Sequence, residues 1–193
     1  MIMLDIDLLK TAFRKLLTYT YFDKSDMVLR RNVALFAKSL ANEEEENKLF
    51  GRILSVASGE DEETLNKWLG EMRLVFMPKQ INQIKETDEK ERLVITNIPK
   101  NHVEVDRLLI QTDIPVELLI IDVAWVLLFG CNVDGGLSEN SCGNRLDLVA
   151  GGGKVREGNA LFKKYQTQYR LWWKNGVDEA NVRLKNGDNI LFP

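Results

Sequence analysis

The chain has 193 residues, 45% hydrophobic and 28% charged, enough apolar material for one full domain with a buried core. A formal charge of −3 excludes a uniformly basic nucleic-acid binder and a solvating acidic tail. The single histidine, His102, excludes zinc chemistry built on a histidine cluster. The charge is uneven: residues 1–40 are net +3, residues 41–150 net −10 and residues 151–193 net +4. Basic ends around an acidic middle permit local phosphate contact, and they are equally the pattern of ordinary solvated faces.

Met1-Ile2-Met3-Leu4-Asp5 reaches an acid before any apolar run develops, so no signal peptide is expected. Four helices are predicted over the first 70 residues. Ile6, Leu9, Phe13 and Leu16 recur at helical spacing after Asp5, a candidate N-cap. Leu29, Val33, Phe36 and Leu40 repeat the pattern after Ser25-Asp26. Leu49, Phe50, Ile53 and Leu54 follow the acidic turn Glu43–Glu46 and close at Ser58-Gly59, and Asp61–Met72 forms a fourth.

The middle changes character. Met72–Met77 is β-prone and ends at Pro78-Lys79; after a charged stretch (82–91), Arg92–Thr96 is β-prone again. Together they predict a hairpin with a long exposed tip, either a solvated hairpin or a cationic finger carrying Arg73, Lys79, Lys85 and Arg92. From Pro115 a long buried helix is predicted to end near Gly130, a core element rather than a membrane span because Glu117 and Asp122 interrupt it. Glu117 and Asp122, five apart, share a helix face poorly and read as hydrogen-bonded helix polars rather than an acid/base couple.

A loop rich in Gly, Asn and Ser follows, with Ser141-Cys142-Gly143-Asn144-Arg145-Leu146 at its end. A glycine beside Asn-Arg lets backbone approach a ligand while the guanidinium offers a planar cationic fork; Gly-Asn is also a common turn pair. Gly151-Gly152-Gly153-Lys154 lacks phosphate-loop spacing and reads as a flexible linker. Asn159–Lys174 is predicted helical and capped by Asn175-Gly176, before a shorter helix, Val177–Lys185, closed by Asn186-Gly187. Phe162, Tyr165, Tyr169 and Trp172 fall on the spacing of a core-facing stripe, with Lys163, Lys164, Arg170 and Lys174 on the wet face. The same interleaving of aromatics and cations also suits single-stranded bases and phosphates. Cys131 and Cys142, without a Cys-x-x-Cys pair, suit a reduced cytoplasm.

The order of these pieces resembles the N-terminal half of bacterial reverse transcriptases, especially defence-associated ones of the abortive-infection and antiviral type. Met72–Lys79 is similar to the family's first fingers strand with its Pro-Lys ending, and Arg92-Leu93 to the returning strand. Ile114-Pro115-Val116-Glu117-Leu118 resembles the Pro-Val-Glu-Leu-His opening of the next helix, with Leu119 where histidine is usual. Ser141–Leu146 resembles the Ser-Tyr-Gly-Asn-Arg-Leu element, with Cys142 in place of the aromatic, and Leu161–Trp172 the helix ahead of the palm. Asp5–Leu9 and Tyr19–Lys24 are similar to that subfamily's opening helix and tyrosine-rich turn.

The resemblance implies an α+β, mainly helical protein with a small antiparallel hairpin. Its regions would be an N-terminal helical region (1–71), a fingers-like hairpin, buried helix and Gly-Asn-Arg loop (72–150), and a linker with aromatic/basic helices leading to a palm (151–193). It implies a cytoplasmic fingers fragment of an RNA-directed DNA polymerase, ending before the palm through truncation or splitting. Lys79, Arg92, Gly143, Asn144 and Arg145 would contact RNA/DNA template–primer and the phosphates of the incoming dNTP. The family's Tyr-x-Asp-Asp box has no counterpart here, so these residues would be catalytically incomplete, and Mg²⁺ would belong to the intact polymerase with its palm region or a partner chain. The alternative is a non-catalytic helical protein-interaction domain that binds no nucleic acid.

Overall fold

Residues 3–22, 26–40, 42–82, 104–138, 141, 143–151, 153–158 and 160–187 are described by a computed structural model. Each N-terminal helix begins where a short polar side chain satisfies a free backbone N–H. Asp5 accepts from the N–H of Leu8 at 2.8 Å and opens α1 (Ile6–Phe22). Asp26 does the same for Leu29 in α2 (Met27–Ser39), Asn42 for Glu45 in α3 (Glu43–Ala57), and Asp61 for Thr64 in α4 (Glu62–Glu71). Gly59, at φ +78°, ends α3 in the left-handed turn where a side chain would be strained. The four predicted helices are all present.

The two-stranded sheet pairs β1 (Arg73–Asn82) antiparallel with β2 (Glu104–Asp113). This corrects two expectations. The partner strand is 104–113; Arg92–Thr96 lies outside the described residues. Nor does Pro78 end the first strand, because among the described residues each strand of the two-stranded ribbon is an edge, where the missing N–H costs no ladder bond when it faces outward. The irregularity falls just after it, where the register shifts between Pro78 and Gln80 and again at Ile81. Asn32 of α2 donates to Asp113 at 2.6 Å and ties the base of the ribbon to the helices. Beyond that base, Leu74, Phe76, Leu108 and Ile110 share one face and are exposed.

After Pro115, α5 (Val116–Trp125), a π-helical segment (Val126–Gly130) and α6 (Cys131–Gly135) form one continuous run. By length and composition alone this run could cross a membrane. In this fold one side, Val116, Ile120, Ala124, Leu127 and Cys131, is buried, and α5 packs on α1, α2 and α3. The predicted stop at Gly130 is absent: a Cβ there would lie 3.1 Å from Leu146 Cδ1, so the glycine lets the following loop close on the helix while the helix continues. The core brings Phe13, Phe36 and Phe50 together from three helices, with ring centroids 5.0–6.5 Å apart, over Leu9, Val33 and Ile53.

The region after α6 is built differently from its expected linker. Residues 145–149 run extended between 154–156 and 161–163, through bonds such as Arg156 N–H to Asp147 O (2.7 Å) and Lys163 N–H to Arg145 O (2.8 Å). Ala150, Gly151 and Gly153 therefore belong to a turn rather than a linker, closed by Val149 N–H donating to Lys154 O at 3.1 Å, with Gly151 and Gly153 at positive φ. The last helix, α7 (Tyr165–Lys185), starts later than predicted and passes through Asn175-Gly176 without a break. Helix propensity is a weak local prior, and a continuing ladder of backbone bonds overrides one unfavourable pair. It ends at Asn186 and Gly187, the latter at φ +81°, as predicted. The architecture is α+β, mainly helical with one small antiparallel sheet.

Candidate functional site

Three arrangements outside the helical core hold side chains capable of recognition. The first fixes the loop carrying Gly143, Asn144 and Arg145. Asp134, at the end of α6, is 5% exposed yet acidic; it lies on the same helical stripe as Ala124, Leu127 and Cys131. Arg145 meets it in a fork, Nε to Oδ1 at 3.0 Å and Nη2 to Oδ2 at 3.0 Å. The remaining guanidinium N–H groups donate to the carbonyls of Asp134, Ser138 and Ser141 at 3.1–3.2 Å. Oδ1 also accepts the Leu146 backbone N–H at 2.9 Å. Burial raises the Asp134 carboxyl, but the Arg145 and Leu146 bonds outweigh it and hold the group below the usual carboxylate range. Arg145, with five donors engaged internally, is a positioning residue. What it positions is the backbone of Gly143 and Asn144, and Asn144 takes the left-handed conformation (φ +42°) that Asn tolerates better than most residues.

The second is an anchor that composition and spacing did not single out. Lys15 of α1 is 3% exposed, and its ammonium donates to the carbonyls of Arg156 (3.2 Å), Gly158 (3.0 Å) and Ala160 (2.8 Å). All three ammonium hydrogens are thereby satisfied, which makes burial of the charge tolerable. Burial still pushes the Lys15 pKa down from its ordinary value, and the Asp147 carboxylate partly opposes that. Its bonds pull Arg156, Gly158 and Ala160 against α1 and close one wall of a cleft of about 340 Å³.

The third is α7. Tyr165, Tyr169 and Trp172 form a ladder along one face, with ring centroids 6.0 and 5.7 Å apart. The expectation of a core stripe fails here: no residue of α7 is buried, and Tyr165, Tyr169, Trp172 and Trp173 are each more than half exposed. Phe162 alone of the predicted stripe packs inward, edge-on to Tyr19 at 6.5 Å, and it lies before the helix begins. Helical spacing identifies a face but not what lies opposite it.

The remaining candidate residues divide plainly. Lys79 lies in β1 beside the register shift, and Arg92, like Lys85, lies outside the described residues. Arg73 is exposed at the ribbon base, in register with Asp113. Lys79 on the ribbon and the Gly143–Arg145 loop belong to different substructures. Glu117 and Asp122 have no hydrogen-bond or ion-pair partner among the described residues, contrary to the expected pairing; burial raises the Asp122 carboxyl. Lys15 and Asp134 were missed. An acid on the apolar stripe of a helix was the available clue for Asp134, whereas Lys15 sits at the edge of its helix's stripe and leaves none. For the divalent ion implied by the resemblance, the described residues assemble no group of three or more acidic, histidine or cysteine side chains. Compared with protein-family models, curated proteins and solved structures, the chain has no match.

Proposed function

We propose that this chain is a nucleic-acid-contacting, fingers-side portion of an RNA-directed DNA polymerase, binding template–primer without performing the transfer chemistry. The observation that carries this reading is that no residue of α7 is buried: Tyr165, Tyr169 and Trp172 form an exposed aromatic stripe on one side, and Lys164, Arg170 and Lys174 are exposed on the other sides of the same helix. Stacked aromatic side chains accept bases of any sequence, and neighbouring cations neutralise the phosphates between them. Lys79 and Arg92 then contact the template backbone or the incoming nucleotide, and the loop held by Arg145 offers the Gly143 and Asn144 backbone to phosphate. The polymerase's Mg²⁺ and aspartates belong to a palm on the same or a partner chain, in the cytoplasm.

The test is fluorescence anisotropy with a labelled RNA–DNA primer–template and with single-stranded RNA, across a salt series. Binding should weaken steeply with salt, and Tyr169→Ala/Trp172→Ala should lower affinity about tenfold or more, since each stacked base contributes roughly 1–3 kcal/mol. Affinity that ignores both salt and the double substitution excludes the reading.

The second reading, a helical protein-interaction domain, is favoured by a different surface. Trp125 and Phe129, with centroids 5.5 Å apart, are at least half exposed on the outer side of the α5 run and have no cation interleaved. Trp125→Ala should leave nucleic-acid affinity unchanged under the first reading.

A further inference from the structure

We propose that the cleft between α1 and the turn at residues 153–158 is a binding site for the phosphate groups of a small di- or triphosphate. This goes beyond the nucleic-acid reading, which uses α7, the ribbon and the Gly143–Asn144 loop and none of the residues of this cleft. The cleft, about 340 Å³, is lined by Arg14 and Lys15 from the helix and by Lys154, Arg156 and one acid, Glu157, from the turn. Four cations from two parts of the chain, more than a hundred residues apart in sequence, converge on one concavity, and concentrated positive charge in a recess with low-dielectric walls favours an anion.

The carboxylates nearby do not cancel this charge. Arg14 bonds only to Thr11 Oγ1 of its own helix, at 3.0 Å, and has no carboxylate partner among the described residues. Lys154 meets Glu157 at 3.2 Å in a pair open to solvent, and Arg156 meets Asp147 at 3.3 Å with its own side chain 59% exposed. Exposed pairs of this kind are weak and exchange readily for a phosphate, whose oxygens suit a guanidinium fork.

The fourth cation supplies rigidity. Lys15 spends its hydrogens on the turn, and Gly158, held at φ +110°, is one of the residues it grips. The wall carrying Lys154 and Arg156 is thereby fixed before any ligand arrives, which lowers the ordering cost of binding. Leu8, Leu127 and Val155 form the apolar part of the lining and suit the flat body attached to a phosphate chain, as in a nucleotide. Lys154 follows the glycines that fail as a phosphate loop by spacing; tertiary structure, not that motif, places it here.

Isothermal titration of the whole chain with pyrophosphate, ATP and a 5′-hydroxyl oligonucleotide, in magnesium-free buffer, tests the site. Pyrophosphate and ATP should bind, ATP more tightly, and each of Arg14→Gln and Lys154→Gln should weaken both about tenfold, the worth of one charge-assisted hydrogen bond. Neither substitution removes a contact that holds the fold, so unchanged thermal melting identifies the loss as local. Arg170→Gln/Lys174→Gln on α7 should leave pyrophosphate affinity intact while weakening the oligonucleotide, so the two readings fail separately. The proposal is overturned by absent pyrophosphate binding at millimolar concentration or by equal affinity in the Arg14→Gln/Lys154→Gln variant. It is equally overturned if the oligonucleotide competes with pyrophosphate for the cleft, which would make the ligand a nucleic-acid backbone.

Discussion

Two aromatic clusters in this chain have opposite surroundings. Phe13, Phe36 and Phe50 come from three helices, meet at 5.0–6.5 Å and are at most 8% exposed. Tyr165, Tyr169 and Trp172 come from one helix, meet at 5.7–6.0 Å and are each more than half exposed. Ring separation is nearly the same, so proximity does not distinguish them. Rings gathered from separate helices can meet only if the tertiary fold forms, and they stabilise it by leaving water. Rings at i, i+4 and i+7 of one helix meet whenever that helix forms, whatever covers them. The residue types agree with this division: the interior trio is phenylalanine, while the exposed trio carries polar tips able to stay wet.

The comparison can be broken by substitution. The largest losses are expected where burial is complete. Phe50→Ala should cost roughly 3–5 kcal/mol in urea unfolding, through lost burial and a cavity. Asp134→Ala should cost about as much, roughly 3–5 kcal/mol, because it leaves the Arg145 guanidinium part-buried without its carboxylate. Lys15→Met should cost roughly 2–3 kcal/mol by leaving three carbonyls without their charged donor, and amide exchange should rise at residues 156–163 before the core opens.

Acid sharpens the same contrast. The folded Asp134 carboxyl lies below its unfolded value, so the native state binds fewer protons there and stability rises with pH. Its contribution is complete above the unfolded pKa, about 3.9, and disappears as pH falls through the folded one. The stability gap between the protein and Asp134→Asn should therefore narrow in acid, and a gap that widens below pH 4 contradicts the assigned network. At the other extreme, Trp172→Ala should change unfolding free energy by no more than about 0.5 kcal/mol, the range of ordinary surface substitutions. A cost above about 2 kcal/mol would mean that α7 packs as the Phe cluster does.

Reading the sequence locates elements better than it locates partners. Asp5, Asp26 and Asp61 cap their helices because capping is a contact between residues three apart, written entirely in local sequence. The ribbon was legible as a hairpin at Met72–Met77, but its partner strand was not, since pairing depends on which distant segment folds back. Arg145 was legible as a notable cation and its use was not: a guanidinium next to Gly-Asn is the same sequence whether its donors face a phosphate or Asp134. Lys15 carried no clue, because its three acceptors lie more than 140 residues away in sequence.

By itself, then, the sequence determined the four N-terminal helices, a β-prone ribbon strand, the helical run after Pro115 and the terminal cap at Asn186-Gly187. Those features rest on periodicity and short-range hydrogen bonds, which a linear chain states directly. Only the tertiary structure decided that Gly151 and Gly153 sit in a turn, that Arg145 and Lys15 serve the fold, and that the aromatic stripe of α7 faces outward. Burial and long-range charge pairing depend on what stands opposite each side chain, and that is settled only when segments far apart in sequence come together.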